Sequence, residues 1–135
     1  MIVLDEQLLG RGLETAIARW YQGAVCFITD LRPNTVIKDD VIPRLLQQEN
    51  QPTFVTINES DFWRKVAINN RFCVVCFSLP DPQAHEISSR LRSLLRLPTF
   101  STKKQRMGQV IRVTNQQINY YTFGDRQVRV INLGD

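Results

Sequence analysis

Three cysteines in 135 residues are too few, and odd in number, for a disulfide framework. Cys26, Cys73 and Cys76 sit inside apolar runs such as Val25-Cys26-Phe27-Ile28, where a thiol serves as a small hydrophobe. Cys73-x-x-Cys76 is not a zinc motif: residues three apart in a strand point to opposite faces, and there is no second pair. This usage fits a reducing, cytoplasmic compartment. The single histidine, His85, has no serine or cysteine nucleophile motif beside it, which removes the usual catalytic triads. No stretch approaches the roughly 20 apolar residues of a membrane span. Met1-Ile2-Val3-Leu4-Asp5-Glu6 has neither the basic start nor the long apolar core of a signal peptide, so a chain without membrane contact is expected. Repeats, low-complexity tracts and Gly/Ser-rich linkers are also lacking, and a single domain over residues 1–135 is the simplest account.

What is present suffices for a core. A chain of this length buries about two-thirds of its unfolded surface. Ile2-Val3-Leu4, Ala24 to Ile28, Thr53 to Ile57 and Phe72 to Leu79 are apolar runs of strand length. Between them, helical spacing joins Leu9, Leu13, Ala16, Ile17 and Trp20 over residues 8–21, with Gly23 as the stop. Thr29 to Lys38 reads as a loop, and a helix carrying Val41, Ile42, Leu45 and Leu46 follows. Asn58 to Trp63 is a polar turn, and a further helix runs from about Gln83 to Arg96. Buried strands alternating with helices predict a parallel sheet covered on both faces. After Pro98 a basic loop, residues 101–106, leads into three alternating segments, 109–114, 117–123 and 127–133, which predict an antiparallel β-meander. The expected organisation is an α/β core over residues 1–97 with a basic loop and meander over residues 98–135.

Ligands of such sheets collect beyond the carboxyl ends of the strands, which directs attention to the residues just after each apolar run. Asp5 and Glu6 follow the first, Asp39 and Asp40 open the helix after the second, and Asn58, Glu59 and Asp61 follow the third. Taken singly, each acid has an ordinary purpose, such as Asp39 or Asp40 capping a helix. Together they repel, and protonation or a divalent cation relieves that repulsion.

Three segments carry a resemblance: Val3-Leu4-Asp5-Glu6-Gln7-Leu8, Asp39-Asp40-Val41-Ile42, and Phe54-Val55-Thr56-Ile57-Asn58-Glu59-Ser60-Asp61-Phe62. With Val110 to Val113, Tyr120-Tyr121 and Gly124-Asp125 near the end, they resemble, in order, the signature of compact bacterial PIN-like proteins. The resemblance implies a three-layer PIN-like core and Mg²⁺- or Mn²⁺-dependent cleavage of RNA, as the toxin of a toxin-antitoxin pair. It places Asp5 as first metal ligand, Asp39 or Asp40 as second and Asp61 as third. Glu59 stands where the family usually has an aspartate, and Asp81 follows the fourth run without a matching motif.

Charge is unevenly spread: residues 1–83 carry 8 basic and 10 acidic side chains, residues 84–135 carry 9 and 3. Arg90, Arg92, Arg96, Lys103, Lys104 and Arg106, with Arg64 and Lys65 after the acidic turn, are the candidates for contacts to a nucleic-acid backbone. The expected function is a metal-dependent ribonuclease using Asp5, Asp39, Asp40, Glu59 and Asp61, partnered by RNA and by an antitoxin. The alternative is a catalytically weak or inactive PIN-like module that binds nucleic acid or protein. A third reading is a structural protein whose meander pairs with a partner, a second copy included.

Overall fold

The computed structural model describes residues 1–133. Seven strands form one sheet: β1 (Ile2–Leu4), β2 (Val25–Phe27), β3 (Thr53–Thr56), β4 (Cys73–Phe77), β5 (Gln109–Val113), β6 (Gln117–Thr122) and β7 (Asp125–Asn132), in the order β2-β1-β3-β4-β5-β6-β7. The first five pair in parallel with one another. β6 and β7 are antiparallel.

The helices are α1 (Leu13–Ala18), α2 (Ile28–Leu31), α3 (Ile42–Gln47), α4 (Glu59–Phe62), α5 (Ile87–Leu94) and α6 (Lys103–Arg106). Period-two alternation divides the core. Ile2, Leu4, Val55, Cys73, Val75 and Ile111 meet Leu13 and Ile17 of α1 and Ile87, Leu91 and Leu94 of α5 on one face. Val3, Phe54, Val74, Cys76 and Val110 meet Ile28, Ile42, Leu46 and Phe62 on the other. The three α5 side chains recur at i, i+4 and i+7, and burying each stabilises the fold by roughly 1.5–3 kcal/mol. Cys73 and Cys76 fall in different clusters, as strand alternation requires, and all three cysteines are free thiols. No helix among the described residues is long and apolar enough to cross a membrane.

Several expectations change, among them the polar turn Asn58 to Trp63, which contains α4. The helix over residues 8–21 is interrupted: a 3₁₀ turn at Glu6–Leu8 gives way to Gly10 and Gly12 at φ 76° and 73°, left-handed backbone that ends one helix before α1 begins, and α1 closes at Ala18, before Gly23. The start of the presumed loop after β2 is α2. The basic stretch 101–106 contains α6, begun by a capping box in which Thr102 and Gln105 satisfy each other's backbone N–H groups. Finally, the meander is not an appendage, because β5 pairs in parallel with β4, from Val74↔Val110 to Phe77↔Val113, and only β6 and β7 reverse.

Chain direction sets where function can sit. β1 is flanked by β2 and β3, so connections leave it to opposite sides and a crevice opens beyond the carboxyl ends of β1 and β3. That edge receives Asp5, Thr56, Asn58 and α4. The opposite edge receives the end of α1, the end of α5 and α6.

Candidate functional site

Asp5 is the first residue beyond β1, and its N–H continues the ladder to the Val55 carbonyl at 2.9 Å. Only 3% exposed, it accepts a 2.6 Å hydrogen bond on Oδ2 from the Thr56 hydroxyl. Burial raises its pKa above the ordinary aspartate value; the bonds from Thr56 and from the Glu6 and Gln7 backbone oppose that rise, and the Glu6 charge adds to it. Thr56 Oγ1 also accepts from the Asn58 N–H at 2.9 Å, so the hydroxyl proton is directed at Asp5.

Asn58 caps α4 with its Oδ1, which accepts from the Asp61 N–H at 3.3 Å, while its Nδ2 donates to Asp61 Oδ2 at 2.7 Å. Asp61 is thereby fixed, and it lines the same cleft as Asp39. Two neighbouring carboxyls disfavour joint ionisation. Asp39, though exposed, is raised to about 6, first by partial loss of solvent around its carboxyl, then by Asp61 and the charges of Asp5 and Glu6. Asp61 is lowered, first by the Asn58 bond, with Asp39 and Lys65 contributing. Neither Asp39 nor Asp40 caps its 3₁₀ turn: Lys38 holds the cap position without a side-chain bond, which leaves Asp39 turned to Asp61.

A cleft of about 340 Å³ lies in front of the pair, lined by Asp39, Asp40, Asp61, Lys65, Phe62 and Pro43. Asp5 is not on its wall but close behind, near enough for its charge to act on Asp39. Among the described residues no three His, Cys, Asp or Glu side chains form a group spaced to hold a metal ion.

Glu59 departs from the expected cluster. Its Oε1 takes Arg112 Nη1 at 2.9 Å. Burial would raise Glu59, but bonds from Ser78 and Arg112 and the Arg112 charge outweigh it and lower its pKa. The reason is helical: residues 59 and 61 of α4 point about 200° apart around the axis. Asp61 faces Asp39, and Glu59 faces β5.

The basic candidates divide as sharply. Lys65 lines the acidic cleft. Arg64 stacks on Tyr121, 4.6 Å from the ring centroid, with Arg126 on the same ring at 4.8 Å; each guanidinium donates to the other's carbonyl, at 3.0 and 2.9 Å. Arg90 is engaged by Glu86 at 3.1 Å and by Asn115 at 2.6 Å. Arg92, Arg96 and Lys103 lie around a pocket at the other edge of the sheet. Lys104 is exposed on α6. Arg106 was expected on a solvated loop but is 3% exposed, donating to Thr53 Oγ1 at 3.2 Å and to the Phe100 carbonyl at 2.8 Å, so it cannot serve as a surface contact to a nucleic-acid backbone. Of these basic residues, Lys65 alone stands on the wall of the carboxylate cleft.

Thr56, Arg112 and Arg126 have no role in the sequence reading, which places Asn58 after the third strand without its capping role. Asn58 carried a legible signal, since an Asn three residues before an acid that ends a polar turn is a helix cap. Arg112 and Arg126 did not, because their partners lie 53 and 62 residues away.

Comparison of the chain with protein-family models, with curated proteins and with solved structures gives no match.

Proposed function

We propose that this chain is a Mg²⁺- or Mn²⁺-dependent ribonuclease with a PIN-like core, its cation held by Asp39 and Asp61. The observation carrying the reading is the cleft lined by Asp39, Asp40 and Asp61 in front of buried Asp5, at the crevice beyond β1 and β3. The donor set suits the ion: carboxylate oxygens match a hard divalent cation, whose charge relieves their mutual repulsion. Asp5 adds negative charge from behind. The chemistry such an ion supplies when bound is an acidified water and neutralised phosphoryl charge.

The chain's own groups do the positioning. Asn58 orients Asp61, and Thr56 orients Asp5. Lys65 on the cleft wall is placed to draw a phosphodiester toward the acids. Nothing in the site speaks to an antitoxin, and the proposal ends at the phosphodiester.

A second reading, a module that binds nucleic acid without cutting it, is favoured by one observation: Glu59 is withdrawn into its pair with Arg112. One experiment separates the two. Single-stranded RNA is incubated with the protein under a Mn²⁺ titration, with EDTA and Asp61→Asn as controls. Cleavage that saturates with Mn²⁺ and is lost in both controls supports the nuclease. Salt-sensitive RNA binding with no cleavage at any Mn²⁺ concentration overturns it in favour of the binding module.

A further inference from the structure

At the sheet edge opposite the carboxylates, four cations surround a pocket of about 340 Å³: Arg92 and Arg96 from the end of α5, Lys103 and Arg106 from α6. Among the described residues, none of the four comes within ion-pair distance of a carboxylate; the ion pairs of the chain are formed by other residues. Three of the cations are exposed, so their charge alone would be unremarkable. Arg106 differs, because it is buried, and both of its acceptors, Thr53 Oγ1 and the Phe100 carbonyl, are neutral. Its remaining amino group, Nη2, makes no hydrogen bond among the described residues and is not one of the buried unpartnered atoms, so it opens on solvent.

A buried guanidinium without a counter-charge is unfavourable, and arginine cannot relieve it by losing a proton. The like-charged neighbours worsen it. The pocket wall is finished by Ser101, whose hydroxyl is already donated to Gln105 Oε1 at 3.1 Å, and by Tyr21, whose phenol oxygen accepts from the Met1 amino group at 3.0 Å and so keeps its own proton to donate. Charged donors from two elements and a phenol thus line one space of the size of a small-ligand site. A carboxylate would satisfy two of these donors. A phosphate, with more oxygens and up to two charges, satisfies the set.

We propose that this pocket binds a phosphate monoester or free phosphate, at a site separate from the carboxylate cleft and independent of the nuclease reading. Arg106 forms its floor, and Arg96, Arg92 and Lys103 form its rim. Trp20, on the same wall, reports on occupancy.

The test is a titration of the full chain with orthophosphate, ribose 5-phosphate and adenosine monophosphate, at ionic strength held constant with chloride. It is followed by calorimetry and by tryptophan fluorescence. Arg96→Gln and Lys103→Gln are the variants, because both residues are exposed and their loss leaves the core intact; circular dichroism checks the fold. Saturable binding, weakened about 10-fold or more in each variant and retained in Asp61→Asn, is expected. Tighter binding of the adenosine compound than of orthophosphate identifies a nucleotide as the source, and equal binding identifies free phosphate. Signals that merely follow ionic strength, binding undiminished in both variants, or binding lost in Asp61→Asn would overturn the proposal. Cleavage is not measured here, so failure of the nuclease reading leaves this result untouched.

Discussion

The two edges of the sheet are built alike and charged oppositely. At the carboxyl ends of β1 and β3, buried Asp5 is held by Thr56 while Asp39 and Asp61 stand exposed in front of it. At the amino end of β3, buried Arg106 is held by Thr53 while Arg92, Arg96 and Lys103 stand exposed in front. Both threonines belong to β3, at its two ends. Three residue steps, about 10 Å, separate the two threonines, well beyond ion-pair distance, so neither group pairs with the other. What differs is the means of relief. The acidic edge can take up a proton at Asp39 as pH falls through about 6; the basic edge has no such recourse, because a guanidinium does not deprotonate.

The strongest way to break this comparison is at the acidic edge. Asp61→Asn should lower Mn²⁺-dependent RNA cleavage by more than the roughly 100-fold typical of losing a residue that only supports a ligand, while phosphate binding at the far edge is unchanged. Cleavage intact in this variant would remove the carboxylate pair from the mechanism. Thr56→Val keeps the shape but deprives Asp5 of its donor, and a fall of about 10- to 100-fold is expected, measured as initial rates at saturating Mn²⁺.

At the basic edge the sharper readout is stability. Phosphate at 100 times its dissociation constant should stabilise the native chain by about 2.7 kcal/mol in urea titrations, and Arg106→Met, similar in volume but uncharged, should gain none of it. A methionine variant stabilised as much as the parent would show that Arg106 plays no part.

The two means of relief also predict different responses to pH. Asp39 ordinarily titrates near 3.8 and is raised to about 6 in the fold, so the folded chain binds the extra proton. That contribution to stability is fully present below about 4 and is lost as pH rises through 6. Cation binding runs the other way: Mn²⁺ affinity should climb up to about tenfold per pH unit below 6 and level off above it. In Asp39→Asn the step in stability should vanish. Phosphate binding at the other edge should show no step attributable to Asp39. The smallest effect is expected for Glu59→Gln, which loosens a partly exposed pair and should cost no more than about 1 kcal/mol, with cleavage nearly unchanged. A large drop in cleavage would return Glu59 to the site.

The sequence made the frame legible where one physical rule dominated. Ile2-Val3-Leu4 and Cys73 to Phe77 have no polar face, so they could only be strands covered on both sides, and they are. The meeting of Asp39 and Asp61 followed from the rule that strand ends in a parallel sheet share an edge. It was not legible that Glu59 would leave the group, because that depends on α4 being a helix rather than a turn. The burial of Arg106 had a readable clue in Thr102 and Gln105, the two ends of a capping box, but a run of lysines and arginines suggested a solvated loop instead. The partition of basic residues between edges was beyond a count by halves of the chain: Lys65 and Arg126 lie 61 positions apart in sequence and both stand beside α4 at one side of the sheet.

β7 runs eight residues along the outside of the sheet, and every side chain from Asp125 to Val130 is exposed. Its outward row of peptide groups is a ready template on which another extended chain could lay itself down, with Val128 and Val130 as apolar footholds. Asp125, Arg126 and Arg129 interrupt that template with charges that must be stripped of water before two such borders can meet, and the hydration they retain is a barrier to fibrous self-association.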